Sequence, residues 1–459
     1  MLPALLVVAA LLSSAPSRAD DFTDQVQAGI QQGPHWTDKA RAIQKQQDAL
    51  RNGQVTGPAA TTDGCTVFGP DMDVTKPVPT LGVAARIKGR DFPSVVQPWH
   101  GADNLDPAPF SSPTPLPDAP KAGAGLNPAN VARHDLAFFG PGAIGLKPVN
   151  SCQGLAVGYT AASVGPALAK RAEILSANPH AVLLAEIRWH DGRADYLPAA
   201  SPWWKTGDAH QDMNDGAYRL LDVANPGFRA QVARQCKAAI LTGVFDGCMF
   251  DWWIETPDVI ALAHDVRTAI GPEALIVVNA NNRQAPGSAA DINGLYMEGF
   301  GSSFWPANPS GWAQAQANIE WAEHSLHAPA FAALEGWAAS SRSDFRDIQT
   351  MRALTALALT HSNAFVLFGD KNTDGANDHR HDWYPFWDKG LGGPPKDAQP
   401  VDGATQREYP GGIVVYNPAA NHPVTINFTE ARYSRASHKT AKTHTVAPGD
   451  GDIFTKASP

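Results

Sequence analysis

The chain has 459 residues, 43% hydrophobic and 18% charged, which supplies enough apolar material for one large core with accessory parts. Its formal charge of −9 comes without any basic block, so nucleic acid and anionic membrane surfaces are excluded as expected partners. No run beyond the N-terminus is long and apolar enough to span a bilayer.

The first segment, MLPALLVVAALLSSAPSRAD, carries an apolar stretch from Leu2 to about Leu12. Ser17 and Ala19 are the small residues of a signal-peptidase site, so residues 1–19 are expected to be a signal peptide, with the mature protein secreted or periplasmic. A buried N-terminal helix is the alternative. Export implies an oxidising compartment, and the four cysteines, Cys65, Cys152, Cys236 and Cys248, match no zinc spacing. Three pairings are open. Cys65 with Cys152 would tie an N-terminal arm to the main domain, and Cys236 and Cys248 lie on successive predicted elements. Residues 20–60 are polar and helix-prone, residues 61–105 are mixed and turn-rich, and 107–130 are dense in Pro, Ala and Gly. Residues 20–130 therefore read as an N-terminal extension ending in a Pro-rich linker that wraps the main domain.

After residue 131 the pattern changes. Short apolar runs stand at 134–140, 181–189, 219–223, 244–252, 274–280, 292–300, 330–337 and 364–370. Amphipathic segments lie between them, several with helix punctuation: Asn225 before Pro226, Thr256 before Pro257, and Gly243 and Gly271 at the ends. Continuous apolar strands alternating with amphipathic helices mean a parallel sheet covered by helices. Eight strands over residues 131–395 predict an α/β fold, a (β/α)8 TIM barrel. A doubly wound open sheet is the rival, but GPGAIG after the first run lacks the GxGxxG spacing. Residues 396–459 show short alternating segments split by Asn-Pro, Asn-His and Pro-Gly turns, which predicts a small C-terminal antiparallel β domain resembling a sandwich.

In such barrels the chemistry sits at the C-terminal ends of the strands. The stretch GVFDGCMFDWWIET holds Asp246 at a strand start, Asp251 at its end and Glu255 in the following loop, so Asp251 is the expected catalytic position. By the same rule Glu298 and Glu335 end later strands and complete the catalytic candidates. Asn279, Asn282, Arg188, His190 and Asp370 ring the same mouth, with Glu186 and Asp191 close by. Thirteen tryptophans, including Trp252, Trp253 and Trp337 beside strand ends, supply flat rings suited to the C–H face of a sugar; any single one is better explained as core, and it is their clustering at strand ends that points to sugar. Paired carboxylates facing across a mouth suit cleavage of O-glycosidic bonds in an oligo- or polysaccharide: one attacks or stabilises the anomeric carbon and the other protonates the leaving oxygen.

Three segments carry a family resemblance: DGCMFDWW, NGLYMEGF and the ending LGGPPKDAQ…REYPGGIVVYNP. Together they resemble the TIM-barrel proteins called hypothetical glycosyl hydrolase family 15, which are unrelated to glucoamylases. The resemblance spans roughly residues 131–459 and implies a glycoside hydrolase. More broadly, α-galactosidase-like barrels place a nucleophilic Asp after strand four and an acid after strand six. That implies Asp251 as nucleophile and Glu298 as acid, with Glu where Asp is usual. α-Amylase-like barrels put their acid after strand five, where this chain has Asn279.

The loop DKNTDGANDHRHDW begins like a calcium loop at Asp370, Asn372, Asp374 and Gly375, but position twelve is His381 rather than Glu. A polar substrate loop is the favoured reading, with calcium at residues 370–381 as the alternative and no other cofactor expected. Two further functions stay open: a non-catalytic carbohydrate-binding barrel, and a metal-dependent hydrolase using His379, His381 and the acids around them.

Overall fold

A computed structural model describes residues 64–99, 126–206, 210–211, 218–339, 345–369, 379, 381 and 383–456. The expected signal peptide, the helix-prone stretch 20–60, Asp370 and nearly all of the calcium-like loop lie outside the described residues.

Eight parallel strands form the barrel: β1 Val96–Pro98, β2 Leu136–Phe139, β3 Val182–Glu186, β4 Gly247–Phe250, β5 Leu275–Asn279, β6 Gly294–Phe300, β7 Phe331–Trp337 and β8 Phe365–Gly369. They pair in chain order. The ring closes between its ends, where Val95 bridges Val366 and the Val366 amide donates to the Ser94 carbonyl over 2.9 Å. The predicted architecture is therefore observed, with one exchange of strands. The run at 219–223 is not in the barrel. Tyr218–Leu220 joins Asp191–Arg193 and His210–Gln211 in a small antiparallel sheet inserted after β3. The missing strand is β1, drawn from the segment expected to be an extension. Because one strand leaves and one enters ahead of β4, Asp251 still follows the fourth strand and Glu298 still lies on the sixth.

The outer layer follows the sequence punctuation. Helices α1 Val83–Gly89, α2 Pro128–Val131, α3 Ala161–Ala177, α4 Pro226–Leu241, α5 Pro257–Ile270, α6 Pro309–Ser325 and α7 Phe345–His361 are described. The Asn225 side chain caps α4 by accepting from Gly227 N at 2.9 Å, and Thr256 caps α5 by accepting from Val259 N at 3.3 Å. Each satisfies an amide that the first helical turn leaves without a partner. After β8 the chain makes the short 3-10 turn Pro385–Trp387, whose Trp387 is buried and donates through Nε1 to Thr355 of α7 at 3.0 Å. Both disulfides form, Cys65–Cys152 and Cys236–Cys248. The first ties the N-terminal segment to the chain between β2 and α3.

The tail adds strands β9 Gln399–Val401, β10 Ala404–Tyr409, β11 Gly412–Asn417, β12 Val424–Ser434, β13 Thr440–Val446 and β14 Asp450–Lys456. They make one antiparallel sheet in the order β9-β10-β11-β14-β12-β13, not a sandwich. A second layer is unnecessary because α7 covers one face, where Arg352 grips Asp450 with Nη2–Oδ2 at 2.7 Å. No helix among the described residues is long and apolar enough to cross a membrane.

Asp246 and Glu255 both prove structural. Asp246 is wholly buried just before β4, where it meets Arg86 of α1, Arg171 of α3 (2.7 Å) and the Leu183 amide (3.0 Å). Glu255 accepts from the Gly287 and Ser288 amides at 2.9 and 2.6 Å, pinning the loop after β5.

Candidate active site

Asp251 follows β4 at the mouth. Its carbonyl accepts from Trp189 Nε1 at 2.7 Å, and two residues on the Trp253 amide donates to the Asn279 carbonyl, also at 2.7 Å. Trp252 between them has φ +57°, a conformation disfavoured for a bulky side chain. Such strain, held by packing on both sides, is a mark of functional sites. The kink also explains a correction. Trp253, expected to contact sugar, turns into the core against Trp189 and Phe250, with its indole N–H directed to Ser288. Trp252 stays half-buried and stacks on His190, with centroids 5.6 Å apart and planes at 15°.

Asn279, the last residue of β5, organises the acids. Its Oδ1 accepts from the Asn281 amide at 3.1 Å, which fixes the orientation of the side-chain amide. The Nδ2 group donates one hydrogen to Asp251 Oδ1 at 2.8 Å and the other to Glu298 Oε2 at 2.6 Å. Burial, and then the negative charge of Glu186, push the Asp251 carboxyl up to about 6, against the opposing bond from Asn279.

Glu298 sits on a β-bulge. Met297 pairs with Leu334 and Phe300 with Gly336, so Glu298 and Gly299 together face Glu335. Gly299 has φ +85°, and a Cβ there would lie 2.3 Å from Phe304. Gly299→Ala is therefore expected to cost about 1–3 kcal/mol of stability and to displace Glu298. Urea unfolding and turnover measured on the same preparation check both effects, and an alanine variant equal to the parent in each would remove the bulge from the argument.

Glu335 does not reach the mouth. Glu335 lies within β7 and is completely buried. It accepts from the Tyr296 hydroxyl, and His379 Nδ1 stands 2.9 Å from its Oε2. The other ring nitrogen, His379 Nε2, stands 3.6 Å from Glu298 Oε1. Glu335 is thus linked to Glu298 through the two nitrogens of the His379 ring. Burial first, and the charge of Glu335 second, push the Tyr296 hydroxyl well above its usual range, so it stays a donor. Trp99, just past β1, packs on His379 with centroids 4.5 Å apart and meets Phe138 and Tyr296 edge-on.

Glu298, Glu335 and His379 offer ligand atoms within 4.8 Å of one another. A single ion, however, can take only one nitrogen of a ring, and here each nitrogen addresses a different carboxylate. That arrangement fits a hydrogen-bonded imidazole better than a metal centre. His381, the other histidine of the metal-dependent reading, turns away: its Nδ1 lies 3.0 Å from the His379 carbonyl and its Nε2 3.0 Å from His134. Burial keeps both of these rings neutral, His381 at about 4 and His134 well below its ordinary range.

Arg188 pairs with Asp191 at 2.8 Å and lies over the Tyr218 ring. Trp337 is buried, with no partner for its indole N–H among the described residues. Asn282 is half-buried, and its carbonyl is held by Gln314 and Asn318 of α6. The structure thus gathers Asp251, Asn279 and Glu298 into one hydrogen-bonded group, sets His379 at ion-pair distance from Glu298, and keeps Trp253 and Glu335 inside. Sequence reasoning missed Tyr296 and Trp99. Tyr296 shares a strand face with Glu298 two residues on, which was readable. Trp99 follows a strand too short to show a pattern.

No family model matches the chain, and no curated protein does. Among solved structures, it is similar to a maltogenic α-amylase, AmyB, from Thermotoga neapolitana (10% identity, 81% of this chain and 100% of that one, TM-score 0.47). It is also similar to a cyclic α-maltosyl-(1→6)-maltose hydrolase from Arthrobacter globiformis (12%, 82% and 100%, TM-score 0.46) and an α-amylase from Malbranchea cinnamomea (12%, 79% and 96%, TM-score 0.45). At these values the likeness does not extend to residues, substrates or chemistry. The resemblance to hypothetical glycosyl hydrolase family 15 rests on the sequence segments alone.

Proposed function

We propose that the protein is a glycoside hydrolase acting on an oligo- or polysaccharide with retention of configuration, and that Asp251 and Glu298 are its carboxylate pair. The observation that carries this reading is the Asn279 amide bonded to both acids. Asp251 Oδ1 and Glu298 Oε2 can be no farther apart than those two bonds, 2.8 and 2.6 Å, laid end to end. That limit falls within the roughly 5–5.5 Å of retaining enzymes and short of the roughly 6.5–9.5 Å that inversion requires. Asp251 attacks the anomeric carbon as Glu298 protonates the departing oxygen. Glu298 then takes a proton from water, which displaces Asp251. His379, set by Glu335 and Tyr296, orients Glu298 and exchanges its proton. Screening against a polysaccharide panel, with the product anomer followed by NMR from the first turnover, tests the reading. Inverted product sinks retention, and binding without turnover on any glycan favours a non-catalytic barrel.

One observation favours exchanged roles. Burial and the charge of Glu186 let Asp251 hold its proton up to about 6, as a general acid requires, while Glu298 has an imidazole beside it. The pH profile of kcat/KM separates the two readings, since it reports groups of the free enzyme. A nucleophile must be ionised, so activity is expected to rise with pH through about 6. Activity that instead falls through the same pH makes Asp251 the general acid and Glu298 the nucleophile.

Export to an oxidising compartment belongs to the same proposal, supported by the leader-like N-terminus and the two disulfides. Mature protein beginning at Asp20 in the secreted or periplasmic fraction is the expected result, and retention of the full N-terminus in the cytosol counts against it.

A further inference from the structure

Three tryptophans stand around Asp251, and the fold uses two of them in its core. Trp189 is buried against Trp253, with ring centroids 5.3 Å apart, and Trp253 is buried in turn against Phe250. Trp252 is different. It is half-buried, and it carries the positive φ of +57° that turns Trp253 inward. Glycine would make the same kink without the steric cost of a bulky side chain, so the strain is the cost of presenting a ring at this place. The ring is also held flat. It stacks on His190 with planes at 15°. His190 is fixed in turn by the Trp189 ring, 5.6 Å away and edge-on, and by the Leu221 amide, which donates to the His190 carbonyl at 2.9 Å. A large aromatic face is thus kept rigid and partly open, one residue from the proposed nucleophile.

Resting on the glycosidase reading, we propose that the Trp252–His190 stack is the platform of a glycone subsite, which seats a neutral pyranose by its C–H face. The order of strands gives the direction. His190 follows β3 and Trp252 follows β4, whereas Glu298 lies on β6, two strands away on the other side of β4. The acid stands by the leaving group and the nucleophile by the anomeric carbon, so the stack lies on the side of the sugar that stays on the enzyme. A flat indole offers the sugar contact area without charge. Because strain and stacking have already fixed the ring, little freedom is lost when the sugar lands on it. The same flatness selects among sugars, since a pyranose with an axial hydroxyl on the contacting face cannot lie against the ring.

The test is isothermal titration of the full-length protein, in the slow Asp251→Asn background, with maltotriose, cellotriose, laminaritriose and triacetylchitotriose as probes. At least one is expected to bind. Trp252→Leu keeps an apolar side chain and removes the flat face, and is expected to weaken that binding about tenfold or more. Trp252→Tyr restores a flat ring and is expected to stay within about threefold of its parent. If Trp252→Leu lowers the melting temperature, His190→Ala keeps the indole and removes its support, and a weakening of the same sign is expected. No binding of any probe, or Trp252→Leu and His190→Ala both as tight as the parent, overturns the proposal. In the active protein Trp252→Leu is expected to raise KM more than it lowers kcat, and more for aryl trisaccharides than for aryl monosaccharides. A loss that ignores glycone length overturns the glycone placement. Binding that depends on Trp252, with no hydrolysis of any glycan, overturns the enzyme and leaves the platform. Hydrolysis at a KM indifferent to Trp252 does the reverse.

Discussion

Asp251→Asn is expected to lower turnover by at least about three orders of magnitude and, at pH 8, to make the protein more stable than its parent. Under the proposed mechanism the first effect follows from losing a covalent partner at the anomeric carbon. The second follows from the price of holding a carboxylate near Glu186 in a partly buried site. Its folded-state value, about 6, lies above its ordinary 3.8. The folded state therefore binds more protons than the unfolded chain between those values. This group favours folding below pH 3.8, and its contribution is lost as pH rises through 6. Asparagine keeps the shape and can still accept from Asn279 without carrying the charge. Allowing for the solvent that still reaches Asp251, the gain at pH 8 is about 1–2 kcal/mol. Urea unfolding of both proteins at pH 8 and pH 4 checks the sign: the difference should shrink on acidification. A variant less stable than the parent at pH 8, or one with near-native turnover, removes Asp251 from the site.

The second large effect lies at the opposite end of the barrel. Asp246→Ala is expected to destabilise the fold by about 3–5 kcal/mol, because it strands two charges rather than deleting a pair. Arg86 and Arg171 keep only 16% and 13% of their side-chain surface exposed and would face each other without their shared carboxylate. The Leu183 amide would lose its acceptor as well. Arg86→Ala should cost less, since Arg171 still compensates Asp246. Turnover per folded molecule should not change in either variant. A loss below about 1 kcal/mol for Asp246→Ala, read from denaturant midpoints, would mean that water replaces the ion pairs at little cost.

Most of the fold was legible because the barrel obeys period and punctuation. Asn225, Thr256 and their following prolines marked helix starts that the side chains do cap. Seven strands showed as apolar runs. The eighth, β1, is three residues long and ends in proline, so it carries no pattern to read. Its place was filled by the run at 219–223, whose apolar residues serve a small inserted sheet. At the mouth, the strand-end rule picked out Asp251, Asn279 and Glu298, which the fold joins by hydrogen bonds. Glu298 and Glu335 both stand two residues before their strands end, and only the bulge at Glu298 and Gly299 leaves the first partly exposed while the second is buried. The rule failed at Trp253 because a positive φ at the preceding residue reverses which ring faces the mouth. The Glu335–His379–Glu298 chain was out of reach, since it joins residues from two strands and a later loop that no local pattern links.

Closure of the barrel between Val95 and Val366 has a consequence for how the protein is made. The strand synthesised first cannot find its second neighbour until the last barrel strand has left the ribosome. Until then both outer strands, β1 and whichever strand is newest, offer unpaired backbone to any passing chain. The contact that ends this exposure joins residues almost a whole barrel apart in sequence, the kind of pairing that forms slowly. Chains stalled or truncated before Phe365 should therefore aggregate rather than persist as partial barrels, however complete the Asp251 end of the molecule already is.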